Sequence, residues 1–368
     1  MVHPQSSHPH IQSQGAFNFS LQQGPMSTAS VNLFQTTLPM PDASSDMPTS
    51  SRKLELELMH RWSTKTWLSA YSVPEDQQLL QIEVPRLALG ADYLLNAILA
   101  LSAADMFMSG RSQFQVPAYH YAQQAYKDLN HKMESLTTDD VVSLYGVHLI
   151  SALFNYAMVQ QTAYVRVVSS FVVGNVAADL FLSQFNWRSP CVMAVQREAK
   201  TPSILTEFLD DSTRLGLSFL DAVADNFNVP TTNLPTGLPS TTADSAPINL
   251  SPASSVLIYQ DVIKELHRTF AEELRGVTKQ YFLFFADKVP QEFVYQASRY
   301  EPMAMFICMY LGVVLYMTGR NPSFWWTRDL RWNLVKETAG MLEHTSIVQL
   351  EAARRGILWA KNEIALDT

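Results

Sequence analysis

Residues 303–317 read MAMFICMYLGVVLYM, the longest apolar stretch in the chain. Glu301 stands just before it and Arg320 follows closely. A helix that crosses a bilayer needs about 20 consecutive apolar residues, and this run falls short. It reads instead as a helix apolar on every side, which belongs inside a protein core. Such a helix needs other elements around it to bury it. The sequence on both sides supplies helices.

Downstream, Gly319-Arg320-Asn321-Pro322 is a clear break. Helical patterns resume over Phe324 to His344 and Ile347 to Ile364. Upstream lie Val256 to Leu274, Gln280 to Asp287 and Pro290 to Ala297. Further back, Leu94, Leu95, Ile98, Leu99 and Met106 mark one face of a helix. Ala118, Ala122, Ala125, Leu129, Met133 and Leu136 form another stripe, with Pro117 suited to a first turn. Thr137-Thr138-Asp139-Asp140 makes an N-terminal cap for a helix from Val141. Val141 to Val159 is a second long apolar stretch, interrupted by His148 and Asn155, and it too reads as buried in protein. Thr201-Pro202 reads as cap and first-turn proline for a helix over Ser203 to Leu220. No alternating run flanked by turn signals suggests a sheet, and no fixed repeat length appears. The expected fold is all-α, an irregular multi-helix array.

The chain has 368 residues, 47% hydrophobic and 16% charged, a composition that supports a sizeable core. Residues 1–51 are rich in Pro, Ser, Gln and His and lack the apolar content to offset ordering, so disorder is expected there. Residues 52–368 form the helical domain. A Pro/Thr/Ser-rich segment at about 229–252 reads as a mobile loop. The N-terminus lacks the basic and apolar regions of a secretory signal. With 26 Lys plus Arg against 34 Asp plus Glu, the formal charge is −8. Direct nucleic-acid binding is not expected without a local basic module. The cysteines, Cys191 and Cys308, are too few for a disulfide framework or a four-ligand zinc site. An intracellular location, nucleus or cytoplasm, fits best.

No chemical motif stands out. There is no Gly-rich phosphate loop, no two-histidine helix pair and no G-x-S-x-G elbow. Neither a metal nor a cofactor is expected. Asp210-Asp211 and Asp139-Asp140 lack the further acid of a diphosphate-binding cluster and read as a helix start or a solvated turn. His148, Asp179 and Glu301 sit in largely apolar contexts and are the catalytic candidates should the chain be an enzyme. The unusual feature is an aromatic and methionine cluster in the C-terminal half. Met305, Phe306, Met309, Tyr310, Tyr316, Trp325 and Trp326 are the residue types that line adaptable apolar pockets, and also those that build cores.

The stretch from Leu54 to Met108 carries a resemblance. Leu56, Leu58, Met59, His60, Trp62 and Ser63 are followed by Glu83 to Ala88 and Leu95 to Ala104. Tyr300-Glu301-Pro302-Met303-Ala304 and the pair Trp325-Trp326 extend it into the C-terminal half. This pattern resembles the regulatory domain of fungal zinc-cluster transcription factors of the sterol-uptake-control type. The resemblance implies an all-α array enclosing a hydrophobic pocket for a sterol-like or terpenoid ligand. The DNA-binding members carry six cysteines near the N-terminus, whereas no cysteine precedes Cys191 here. Relatives also show Trp-Pro near the end where this chain has Trp359-Ala360, which leaves the last helix boundary open.

The reading that follows is a regulator-like protein without its own DNA-binding module. It is expected to control a biosynthetic or lipid-related gene set, as in secondary metabolism, through a DNA-binding partner, and to sense an apolar metabolite. The alternative is an enzyme that reuses the pocket for cofactor-free cyclisation or isomerisation. A lipid-binding or scaffold protein is a third reading.

Overall fold

A computed structural model describes residues 51–158, 161–179, 206–227 and 252–365, together with 181, 186 and 193. The expected disordered tail, apart from Ser51, and the loop at about 229–252, apart from its last residue, lie outside the described residues, as does Cys191. Among the described residues every regular element is a helix. The all-α expectation holds.

The N-terminal half begins with α1 (Ser51–Thr64) and a 3-10 turn at Thr66–Ser69. Next comes α2, which passes from Asp76–Gln78 through a π-helical turn at Leu79–Glu83 into Val84–Ala88. It continues with α3 (Asp92–Met108), α4 (Gln115–Lys132) and α5 (Val141–Met158). The C-terminal half holds α6 (Ala163–Asp179), α7 (Asp211–Phe227), α8 (Pro252–Arg275), α9 (Phe282–Lys288) and α10 (Gln291–Ser298). It closes with α11 (Pro302–Thr318), α12 (Leu330–Leu342) and α13 (Glu351–Ala365).

The opening sequence is α11, and it is the axis of the C-terminal half. Every residue from Met303 to Tyr316 is buried. Helices α7, α8, α9, α10, α12 and α13 all pack against it. Two close approaches set its neighbours. A Cβ on Gly312 of α11 would stand 2.7 Å from Val335 Cγ2 of α12. A Cβ on Gly216 of α7 would stand 2.3 Å from the Trp359 ring of α13. At both points the missing side chain lets two helices meet at short range.

The caps decide where helices start. Thr137 and Asp140 form a reciprocal capping box ahead of α5, as the sequence suggested. The helix expected over Ser203 to Leu220 is a correction. Residues 201–205 lie outside the described residues, Thr206–Phe208 is a 3-10 turn, and the helix runs from Asp211 to Phe227. The reason is Asp210, whose Oδ1 accepts the Thr213 amide at 2.7 Å and caps the helix from there. Likewise Phe324 to His344 is not one helix. A 3-10 turn at Trp325–Thr327 interrupts it before α12. At the end, α13 continues through Trp359 and Ala360 without a break.

The stretch from Leu54 to Met108 is one packed unit. Leu58 and Trp62 of α1, Val84 and Ala88 of α2, and Leu94, Ile98 and Leu101 of α3 are buried together. Trp62 Nε1 donates to the Leu80 carbonyl at 3.0 Å. Arg61 grips Asp105 of α3 with Nε at 2.8 Å and Nη2 at 3.0 Å, and Thr66 donates to the same carboxylate. That bidentate geometry fixes α1 on α3.

The two halves join along a seam centred on Trp326. Its ring lies against Tyr156 of α5 and Phe282 of α9, with centroids 5.3 and 6.3 Å away. Its Nε1 donates to the Ser69 carbonyl and to Gln280 Oε1, each at 3.2 Å. Gln280, in the left-handed region at φ 56, also donates to the Tyr71 carbonyl. Among the described residues, one helix (Thr138–Met158) is long and apolar enough to cross a membrane, and 61% of that window is buried inside the protein. Helices α10 and α11 pass the same test only as a pair bent by 99°.

Candidate functional site

Where the two halves meet, a cleft of about 290 Å³ opens between five elements. Phe107 comes from the end of α3, Gln115 and Tyr119 from the first turns of α4, and Ala157 and Met158 from the end of α5. Gln161 lies in the short connection that follows. Arg166 comes from the first turn of α6, and Asp329 from just ahead of α12. Gln115 and Tyr119 are four residues apart, so the helix places both on one face.

Arg166 organises the site. Its side chain is 4% exposed, while that of Asp329 is 49% exposed. Nη2 of Arg166 donates to Asp329 Oδ2 at 2.8 Å, and Nη1 donates to the Tyr156 carbonyl at 2.7 Å. Tyr156 lies in the last turn of α5, where a cation also meets the negative end of the helix dipole. Tyr119 closes the same helix end, its hydroxyl donating to the Met158 carbonyl at 2.5 Å. Asp329 makes no side-chain cap bond to α12, so its carboxylate is committed to the arginine and weakly to Asn333 at 3.5 Å. On two residues that line the cleft, a buried polar atom has no hydrogen-bond partner among the described residues: Arg166 Nε, a donor, and Gln161 Oε1, an acceptor. Buried polar atoms are nearly always paired, so an orphan donor and an orphan acceptor in one cleft mark it out.

The residues singled out in the sequence lie elsewhere. Glu301 caps α11: its Oε2 accepts the Met303 and Ala304 amides at 2.9 and 3.1 Å and the Tyr259 hydroxyl at 2.5 Å. His148 is half-buried on α5 with its ring edge-on to Phe181 at 6.2 Å. Burial pushes its pKa down to about 4, so it is neutral at pH 7. It has no hydrogen-bond partner among the described residues. Asp179 ends α6, and its side chain lies outside the described residues. No described contact joins any two of the three.

The aromatic and methionine cluster is packed on itself. Met305, Phe306, Met309, Tyr310, Tyr316 and Trp326 are buried, and Trp325 is half-buried. Tyr310 stacks on Trp359 at 5.0 Å, meets Phe306 at 5.2 Å and donates to the Gly216 carbonyl at 2.9 Å. Tyr316 stands against Trp332. None of these seven residues lines the seam cleft. Cys308 is free and buried, and burial pushes its thiol pKa up. Among the described residues no group of three or more His, Cys, Asp or Glu is placed to hold a metal ion.

Sequence reasoning passed over the whole cleft. One local signal was present: Arg166 is the only charged residue between Ala163 and Val176. A lone cation in an apolar helix must find a partner or a function. The other lining residues carry no such mark. No family model, curated protein or solved structure matches the chain.

Proposed function

We propose that this chain is a ligand-responsive regulatory domain of the sort found in fungal zinc-cluster transcription factors of the sterol-uptake-control type. It works without a DNA-binding module of its own. It acts in the nucleus or cytoplasm through a DNA-binding partner, on a biosynthetic gene set such as those of secondary metabolism. The observation that carries this reading is the packing of α1, α2 and α3. The three segments that bear the resemblance are buried in one core through Trp62, Leu80, Val84 and Leu94, as a single structural unit requires. A polar cleft on the seam between the halves supports the ligand-responsive part, because an occupant there touches both halves at once.

The enzymatic alternative, a cofactor-free cyclisation or isomerisation, needs an acid and a base converging on one cavity. Glu301 is committed to capping α11, and His148 lies apart from it on α5. Those positions favour the regulatory reading. The test is deletion of the gene with transcripts and metabolites profiled from the same cultures. Collapse of messages for a set of biosynthetic genes is the expected result. Steady transcripts with one accumulating intermediate would overturn it in favour of the enzyme.

A further inference from the structure

We infer that Asp76 is a proton-sensitive clasp on the seam. With its carboxyl neutral, the 69–73 loop is held against the other half; with the carboxyl charged, that contact opens more readily. The inference is independent of what the chain regulates. The 69–73 loop carries the N-terminal half's side of the seam. The Ser69 carbonyl accepts Trp326 Nε1 at 3.2 Å, the Tyr71 carbonyl accepts Gln280 Nε2 at 2.9 Å, and the Ser72 carbonyl accepts the Lys279 amide at 2.9 Å. One side chain ties this loop down from behind. Asp76, at the start of α2, accepts the Ser72 amide at 3.0 Å and the Val73 amide at 3.1 Å, both on Oδ2. Ser72 therefore bonds the carboxyl through its amide and the other half through its carbonyl.

The carboxyl is badly placed to hold a charge. Asp76 is 4% exposed, and Glu75 beside it on the same helix adds a like charge. Across the seam, the Lys279 ammonium lies over the Tyr71 ring at 5.1 Å. Behind the 3-10 turn, Arg61 and Asp105 neutralise each other at 2.8 Å. On α8, Glu272 pairs with Arg275, and Glu273 stands near the Tyr281 amide beyond the 276–280 connection. Burial outweighs the two amides and raises the Asp76 pKa to about 6. Opening the loop lets water reach the carboxylate and returns it toward the ordinary 3.8. The clasp is therefore tightest at low pH, and its hold is lost as pH rises through 6.

The test is hydrogen exchange at single amides of the full chain, at about pH 5 and about pH 7.5, corrected for intrinsic rates. The reporter is the Lys279 amide, whose bond crosses the seam. Amides from Ile307 to Leu311, in the middle of α11, report opening of the whole chain. The Lys279 amide is expected to be less protected than α11 at both pH values. Between them it is expected to lose about tenfold of its protection or more. Asp76→Asn keeps an acceptor for both amides but cannot ionise, and is expected to shrink that loss by about tenfold. Any contribution from Glu273 is common to both proteins and cancels. Thermal unfolding at low pH checks that the variant folds; if it does not, the wild-type comparison alone decides. Three results overturn the proposal: Lys279 protection that pH leaves unchanged, protection equal to that of α11, or a loss that persists in full in Asp76→Asn.

Discussion

Arg166 and Asp329 form an unequal pair, and the inequality predicts an asymmetric mutational cycle. Removing the aspartate strands a guanidinium that is 4% exposed, with only the Tyr156 carbonyl left to it. Breaking a buried pair in this way costs about 3 kcal/mol. Asp329→Ala loses no helix cap, because Asp329 makes no cap bond. Removing the arginine is milder. Arg166→Met forfeits the bond to the Tyr156 carbonyl, worth about 2 kcal/mol, but also deletes the unpartnered Nε, which returns about 1 kcal/mol. Asp329 is half-exposed and is re-solvated. The net loss is about 1 kcal/mol. The double variant is then no worse than Arg166→Met alone, which implies a coupling of about 3 kcal/mol. Equilibrium unfolding in urea measures all four proteins, with the slope checked for constancy. If Asp329→Ala costs no more than Arg166→Met, or if the two losses add, the guanidinium is not held out of water as the geometry requires.

Other expectations follow from single contacts. Gly216→Ala places a methyl within 2.3 Å of the Trp359 ring and is expected to lower stability by about 1–3 kcal/mol, read as a fall in Tm. Gln161→Met removes a buried unpaired acceptor and is expected to raise stability by about 1 kcal/mol in the absence of ligand. Burial raises the Asp76 pKa to about 6, against the lowering effect of the Ser72 and Val73 amides. Its folded pKa lies above its unfolded one, so its contribution is full below about pH 4 and is lost as pH rises through 6. Asp76→Asn keeps an acceptor without the charge and is expected to raise Tm at pH 7.5 but not at pH 3.5; a lower Tm at pH 7.5 would falsify this. His148 has the opposite sign. Its folded pKa is depressed to about 4, so its contribution is full above about 6.5 and is lost as pH falls through 4. His148→Phe is expected to flatten the Tm profile between those limits.

Much of the fold was readable because its signals are local. An uninterrupted apolar run such as 303–317 has one stable place, the middle of a helical shell, and α11 lies there. The capping box before α5 needs only residues 137–140. The start of α7 was misplaced because two cap candidates compete, and Asp210 is the one that holds the Thr213 amide. The site was hidden for a different reason. Phe107, Tyr119, Met158, Arg166 and Asp329 each come from a different segment, and no periodicity links them. The aromatic and methionine cluster was ambiguous in principle. The residue types that line an apolar cavity are those that fill one, and Tyr310 against Trp359 fills it.

The central position of α11 also sets the order in which the chain can assemble during synthesis. Helices α1 to α5 are contiguous, so that half can bury its apolar faces as soon as α5 has left the ribosome. Helices α7 to α10 have no such opportunity, because the helix they wrap is made after them. At about 5–20 residues per second, their apolar faces wait for α11 to emerge, from about a second for α10 to on the order of ten seconds for α7. In that interval they are substrates for chaperones, and their yield depends on chaperone supply in a way that the first five helices escape.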